Sequence, residues 1–392
     1  MRKIIILIAL IVALCAGGLL RHRSFRHSTA QPAGNGVADG KITVTDMAGR
    51  VVSFHKPVQR IVLIRSRDIY EVSLLLGDEV ASKIVGWGPD IQTADKDAYR
   101  KFVERYPGLA KLPVLGAIFD DAVNIEAVLA LKPDLVILDT VMAERGYKSV
   151  DRMEQAGLPL LFLDLSHDPF HDPERSLLLL GKVLGKEDRA AEIVAFVNAE
   201  LDRVFSRLPG ITTHPPVVYL EAGSLGAKQY GSTYGFDPKQ KLASWGTFLD
   251  RLHCRNIAAG VVPSMGPISP EYLLKTNPEV IVITGANWPA LSDSMHLGYY
   301  TDAGEARDLL RAFTTRPGWD GLSAVKNHRV YSLFHGFAMH LTNFAAVQQL
   351  AKWLYPETFA DLDPEGGLRE FHRRFMPVSY SGVWMVSLAE GP

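Results

Sequence analysis

Cysteine is almost absent from this chain of 392 residues: Cys15 and Cys254 are the only two, too few for a disulfide framework or a thiolate metal cluster. A charge of one sign is missing as well, since 42 basic side chains face 43 acidic ones. So balanced a chain offers no broad attraction to a phosphate backbone, and nucleic acid is excluded as the main partner. The sequence has no G-x-S-x-G elbow, no phosphate loop and no H-E-x-x-H pair, which removes the common hydrolase, nucleotide and zinc-protease sites. What is present, 47% hydrophobic and 22% charged residues, belongs to an ordinary globular chain of two or three domains.

Long apolar runs are also scarce. Only Ile4 to Leu20, behind Arg2 and Lys3, approaches membrane length, and about 17 residues at ~1.5 Å each fall short of a ~30 Å hydrocarbon core. Residues 1–27 therefore read as a signal peptide or membrane anchor. Val12-Ala13-Leu14-Cys15 resembles a lipoprotein box, with Leu14 where a small residue is wanted. Ser28-Thr29-Ala30 offers a cleavage site, while Arg21, Arg23 and Arg26 suit a retained anchor. Each alternative exports the rest of the chain, to the periplasm or the outer face of the cytoplasmic membrane. Residues 28–40, small, polar and Gly-rich, form a flexible tether.

From Lys41 onward short β-rich apolar runs alternate with amphipathic stretches, the pattern of an α/β fold with mostly parallel sheets. Strands are expected at Ile61–Ile64, Ile84–Val85, Leu135–Leu138, Leu160–Leu163, Val217–Leu220, Val280–Ile283 and Val330–Leu333. They divide into an N-terminal lobe, 41–185, and a C-terminal lobe with a helical tail, 210–392. Between them, Ala190, Ile193, Val194, Val197, Leu201, Val204, Phe205 and Leu208 recur at helical spacing. Residues 186–209 thus form one long helix, either a stiff connection between lobes or a helix packed on one of them, with the ligand cleft between the lobes.

A repeat links the lobes. Asn124-Ile125-Glu126 through Pro133-Asp134-Leu135 recurs as Ser269-Pro270-Glu271 through Pro278-Glu279-Val280. Each copy is a capped short helix, stopped by proline and followed by a buried strand. Glu126 and Glu271 then occupy equivalent first-turn positions. An acid there is favourable by ~0.3 to 1 kcal/mol with no other role; alternatively, the two carboxylates dock a partner bearing arginines.

These residues, with Val44-Thr45-Asp46-Met47-Ala48-Gly49-Arg50, Arg60-Ile61-Val62, Asn256-Ile257-Ala258 and Pro317-Gly318-Trp319 through Val330-Tyr331, resemble the periplasmic binding proteins of ABC importers for iron siderophores, haem and cobalamin. The resemblance covers about residues 41–355. It implies two α/β lobes joined by one rigid helix, and it implies that Glu126 and Glu271 dock onto arginines of a permease dimer served by an ATPase. His253-Cys254 depart from the paired glycines often found before the Asn-Ile motif, and the tail beyond Tyr355 extends past the family's usual end.

Ligands of open α/β sheets lie beyond the carboxyl ends of the strands. The loops there carry Arg65, Ser66 and Arg67, then Trp87, Asp139, Thr140, Ser166 and His167 in the first lobe. In the second they carry Tyr230 and Tyr234 in the Gly226–Gly235 segment, then Asn287, Trp288, His335 and Phe337. Arg65, Trp87, Tyr230, Tyr234, Trp288 and His335 are the candidate ligand-binding residues, and they suit a large, flat chelate with acidic edges. The His167-Asp168-Pro169-Phe170-His171-Asp172 run is read as a loop into a capped helix rather than a metal site. His335 and His340 are the histidines nearest the expected cleft. The expectation is a binding protein for an iron or cobalt chelate, with no catalytic residue, no cofactor and no metal held by the protein itself; membrane contact is limited to the N-terminal segment or the permease. The alternatives are a metal-dependent enzyme or an envelope chelate sensor or chaperone on the same fold.

Overall fold

A computed structural model describes residues 40–211, 214–236, 245–289 and 293–389. The leader 1–27, with Cys15, and the tether up to residue 39 lie outside the described residues. Among the described residues no helix is long and apolar enough to cross a membrane.

The chain is α/β and carries two separate main sheets. It begins with an antiparallel hairpin of β1 (Lys41–Thr45) and β2 (Val51–His55). Asp46 makes the turn by accepting the amides of Ala48 and Arg50 and the Arg50 guanidinium. Arg50 also reaches the Leu160 carbonyl and lies 4.2 Å over the Phe162 ring, which pins the hairpin to the first sheet.

That sheet is all parallel, in the order β4-β3-β5-β6, with β3 at Ile61–Leu63, β4 at Ile84–Trp87, β5 at Leu135–Asp139 and β6 at Leu160–Leu163. Its strands are apolar without interruption because both faces are covered. Val62, Val136, Leu138 and Phe162 pack on one side, and Ile61, Leu63, Leu135, Ile137, Leu161 and Leu163 on the other. Three helices of this lobe bear on the site: α1 (Ile69–Leu76), α2 (Lys96–Arg105) and α3 (Ile125–Ala130).

Helix α4 (Asp172–Leu184) leads into the long helix α5 (Glu187–Phe205), which buries Ala190, Ile193, Val194, Val197, Leu201 and Val204 as its spacing predicts. The two cross closely at Gly181, where a Cβ would stand 2.7 Å from that of Ala190.

The second sheet runs β10-β8-β7-β11-β12-β13, with β9 also on β7. Its parallel centre is β7 (Val217–Ala222), β11 (Val280–Gly285) and β12 (Val330–Phe334). Short strands flank it: β8 (Thr233–Tyr234), β9 (Arg255–Asn256), β10 (Met265–Gly266) and β13 (Met385–Ser387). Helix α6 (Pro270–Thr276) precedes β11 as α3 precedes β5.

The tail does more than pack on a lobe. Helix α7 (Pro364–Phe375) lays Phe371 and Phe375 against Phe196 of α5. The chain then returns to add β13 antiparallel to β12. Where the departure at His253-Cys254 left the backbone open, His253 takes a left-handed φ of 55°. Tyr355 holds it there by donating its hydroxyl to the Leu252 and His253 carbonyls.

Candidate functional site

Three of the six candidate ligand residues converge on the C-terminal lobe. His335 directly follows β12, and Trp288 and Tyr234 lie with their rings 5.3 and 6.3 Å from its imidazole. Trp245, which the sequence reading did not single out, adds a fourth ring at 6.4 Å. Thr284, near the end of β11, places its Oγ1 2.8 Å from His335 Nδ1. The other ring nitrogen, Nε2, has no partner among the described residues. Burial, helped by the Arg67 charge, lowers the His335 pKa to about 4, so the imidazole is neutral at ordinary pH. A neutral imidazole with one nitrogen engaged and one open, set among aromatic rings, suits a flat, polarizable ligand.

The N-terminal lobe contributes the loop after β3. Arg65, singled out from sequence, is 4% exposed, and its guanidinium is already taken by Asp68 at 2.7 Å and Asp139 at 3.0 Å. Burial alone would lower its pKa, but these two carboxylates raise it. It is therefore a buried anchor of the loop. Arg67 is only half-buried; it pairs with Asp90 at 3.0 Å and reaches Met339 of the opposite lobe at 3.8 Å. Asp90 also accepts the Ser66 hydroxyl and amide. Burial pushes Asp90 up, yet Arg67 and Ser66 hold it below the usual carboxylate range. The lobes touch again where His340 lies 2.9 Å from Glu71 of α1. A third contact sits on α2, where Asn287 donates to Asp97 and Lys101 to Ser381.

The remaining candidates point elsewhere. Trp87 is 1% exposed, packed within its own lobe near Tyr99. Tyr230 accepts from the Trp319 indole and lies under the Arg316 guanidinium, 4.4 Å from its ring. Arg316 in turn is clamped to buried Glu221 at 2.7 and 2.9 Å and donates to the Gly226, Ala227 and Gln229 carbonyls. The Gly-rich segment is thus held from below by an ion pair that its own sequence does not announce; the signal lay in the Thr-Arg-Pro-Gly stretch after Phe313. Phe337 is buried in the core beside Phe334 and Trp384.

His167 lies 2.7 Å from Asp164 and 2.9 Å from Glu144. Burial would lower its pKa, but the two carboxylates raise it to about 10. No group of His, Cys, Asp and Glu among the described residues is arranged to hold a metal ion. Cys254 donates to the Leu249 carbonyl, and burial pushes its thiol up to about 12, which leaves it unreactive.

The repeat assembles as two copies of one device. Asn124 and Ser269 cap their helices by accepting the amides of Ala127 and Tyr272. Lys132 and Asn277 take the same left-handed turn, with φ of 46° and 49°. Asp134 then accepts the amides of Gln59 and Arg60 at the start of β3, and Glu279 accepts that of Val217 at the start of β7. Glu126 and Glu271 make no such bond. Both are exposed, and neither carboxylate has a hydrogen bond or ion pair among the described residues.

Comparison with known proteins agrees with this architecture. The family described as "Periplasmic binding protein" matches residues 76–334. The crystal structure of the TroA-like periplasmic binding protein FepB from Veillonella parvula is 35% identical, with a TM-score of 0.82 over 88% of this chain and 99% of that one. The molybdate-binding protein MolA of Haemophilus influenzae is 22% identical over 86% of this chain and 91% of its own, and its solved structure describes it as the cognate periplasmic binding protein of an ABC transporter. The ferric-anguibactin-binding protein FatB of Vibrio anguillarum is 25% identical over 62% of this chain and 68% of its own. With the family match spanning more than half of its length, the chain belongs to the periplasmic binding proteins.

Proposed function

We propose that this protein captures a metal chelate, a ferric siderophore, haem or corrinoid, outside the cytoplasmic membrane and hands it unchanged to an ABC importer. The observation that carries the reading is the neutral His335, whose Nε2 has no partner among the described residues, ringed by Tyr234, Trp245 and Trp288. A bare oxyanion such as MolA's molybdate is disfavoured. Arg67 and Arg65 are both already paired with carboxylates, which leaves it neither guanidinium as a free partner. FatB's ferric siderophore supports the same class.

Docking onto the permease dimer is assigned to Glu126 and Glu271. Asn124, Ser269, Asp134 and Glu279 of the repeat each accept a backbone amide, whereas Glu126 and Glu271 are exposed and have no partner among the described residues. Residues 1–27 are assigned to export, with the folded part at the periplasmic side.

Titration of tryptophan fluorescence with haemin, ferrichrome, cyanocobalamin and molybdate tests the ligand class. One chelate is expected to quench saturably and be recovered unaltered, with binding weakened at least tenfold in Trp288→Ala and His335→Ala. Saturable binding of molybdate alone, or chelate turnover, overturns the reading. Glu126→Lys with Glu271→Lys is expected to abolish cellular uptake of that chelate while leaving its binding intact; retained uptake removes the docking assignment.

A further inference from the structure

We infer that the docking surface consists of two carboxylates each framed by exposed apolar side chains, and that these apolar frames hold the permease through a contact that salt does not screen. The inference rests on the docking reading above and adds to it. Seven large hydrophobic side chains are exposed among the described residues, and five lie on a repeat helix or in the segments that lead into the two repeat helices: Val114, Phe119 and Leu129 in the first lobe, Val261 and Met265 in the second. Their exposures run from 41% to 50%. Scattered single apolar residues on a surface need no explanation, but a gathering of most of them at two matching places does.

Local structure puts them there. In the first lobe the Asn124 amide donates to the Leu115 carbonyl at 2.8 Å and closes a loop. Gly116 makes that loop tight: it sits at φ +93°, and a Cβ on it would come within 2.1 Å of the Ala122 carbonyl. Phe119 is exposed in the middle of this loop, and Val114 stands at its base. Leu129 lies three residues beyond Glu126, on the same face of α3. In the second lobe Tyr272, the neighbour of Glu271, donates its hydroxyl to the Ile257 carbonyl at 3.0 Å and fastens the 257–268 segment to α6. Val261 and Met265 are the exposed apolar residues of that segment. Met265 pairs with Tyr234 across β10 and β8, so one short ladder joins this patch to the rings around His335.

The occupant follows from charge and symmetry. A carboxylate without a partner among the described residues, on the helix that each apolar segment leads into, calls for a cationic side chain opposite, which argues against an anionic lipid surface. Two like patches, one per lobe, match a partner built from two like subunits. A permease dimer that presents a basic side chain from each subunit, as the docking reading requires, has both properties.

The test measures binding of the full chain to its own organism's permease and ATPase reconstituted in nanodiscs, at low and high salt. Three proteins are compared: wild type, Phe119→Ser with Met265→Ser, and Glu126→Lys with Glu271→Lys. The serine pair is expected to weaken binding roughly tenfold at both salt levels, and the lysine pair to weaken it mainly at low salt and flatten the salt dependence. All substitutions are on the surface, and an unchanged unfolding midpoint checks that each protein is folded. Wild-type binding by the serine pair, with binding lost in the lysine pair, overturns this inference and leaves the docking reading standing. Wild-type binding by both removes the docking reading itself. A serine pair that loses only self-association or vesicle binding, with permease binding unchanged, also overturns the inference.

Discussion

Replacing Arg316 by methionine keeps most of its length and removes its charge, and the structure sets the size of the effect. Its guanidinium and the Glu221 carboxylate are 4% and 0% exposed as side chains and are joined by two short bonds. Breaking a buried pair from one side leaves an uncompensated charge and costs about 3 to 5 kcal/mol. The lower end is expected, because Glu221 keeps the Tyr219 hydroxyl at 2.6 Å and the Gly231 amide at 2.7 Å. Methionine can also occupy the space among Phe313, Trp319 and Tyr230 that the guanidinium plane now fills. The carbonyls of Gly226, Ala227 and Gln229 lose their donor, so the Gly-rich segment loosens and Tyr234 with it. Urea unfolding followed by tryptophan fluorescence measures the loss. Adding Glu221→Gln should restore at least about 2 kcal/mol of it, since the stranded charge is then gone. A single-variant loss under about 1 kcal/mol, or a double-variant loss equal to the two single losses added together, refutes the argument.

Removing either cap of the repeat, by Asn124→Ala or Ser269→Ala, should cost about 1 kcal/mol by the same assay, with nearly equal values for the two lobes. His253→Gly should stabilise by about 0.5 to 1 kcal/mol, as glycine takes the left-handed backbone at that position without the Cβ clash, provided the loss of the imidazole is neutral. Burial holds His372 near a pKa of 4, below the ordinary 6.5. Its contribution is therefore present above about pH 6.5 and lost as pH falls through about 4. Asp68 and Asp95, which burial pushes up to about 7 and 6, titrate in the same range with the opposite sign. The check is thus the difference in stability between wild type and His372→Gln, which should shift against wild type as pH falls from 7 to 4. A difference independent of pH contradicts the buried neutral imidazole.

Periodicity alone placed all seven main strands, and the long helix, because each leaves a one-dimensional trace: an unbroken apolar run where a parallel strand is covered on both faces, or a repeat of three and four where one side of a helix is buried. The repeat was legible for the same reason, its caps and stops being local chemistry. The hairpin of β1 and β2 and the short strands β8, β9, β10 and β13 left no such trace. A strand of two or three residues exists only by virtue of a partner, and for β13 that partner lies more than fifty residues away along the chain.

The same division runs through the site. That Trp288 and His335 follow strands and that Tyr234 lies in the Gly-rich segment could be read from order along the chain, but that they meet, with Trp245 and Thr284, is a fact of tertiary packing. Arg65 and Arg67 look equivalent in sequence, two residues apart in one loop. Folding surrounds the first with Asp68 and Asp139 and pairs the second with Asp90 alone, half-buried against the other lobe. Residue type states what a side chain is able to bind; only the three-dimensional neighbourhood decides whether its charge has already been answered from within.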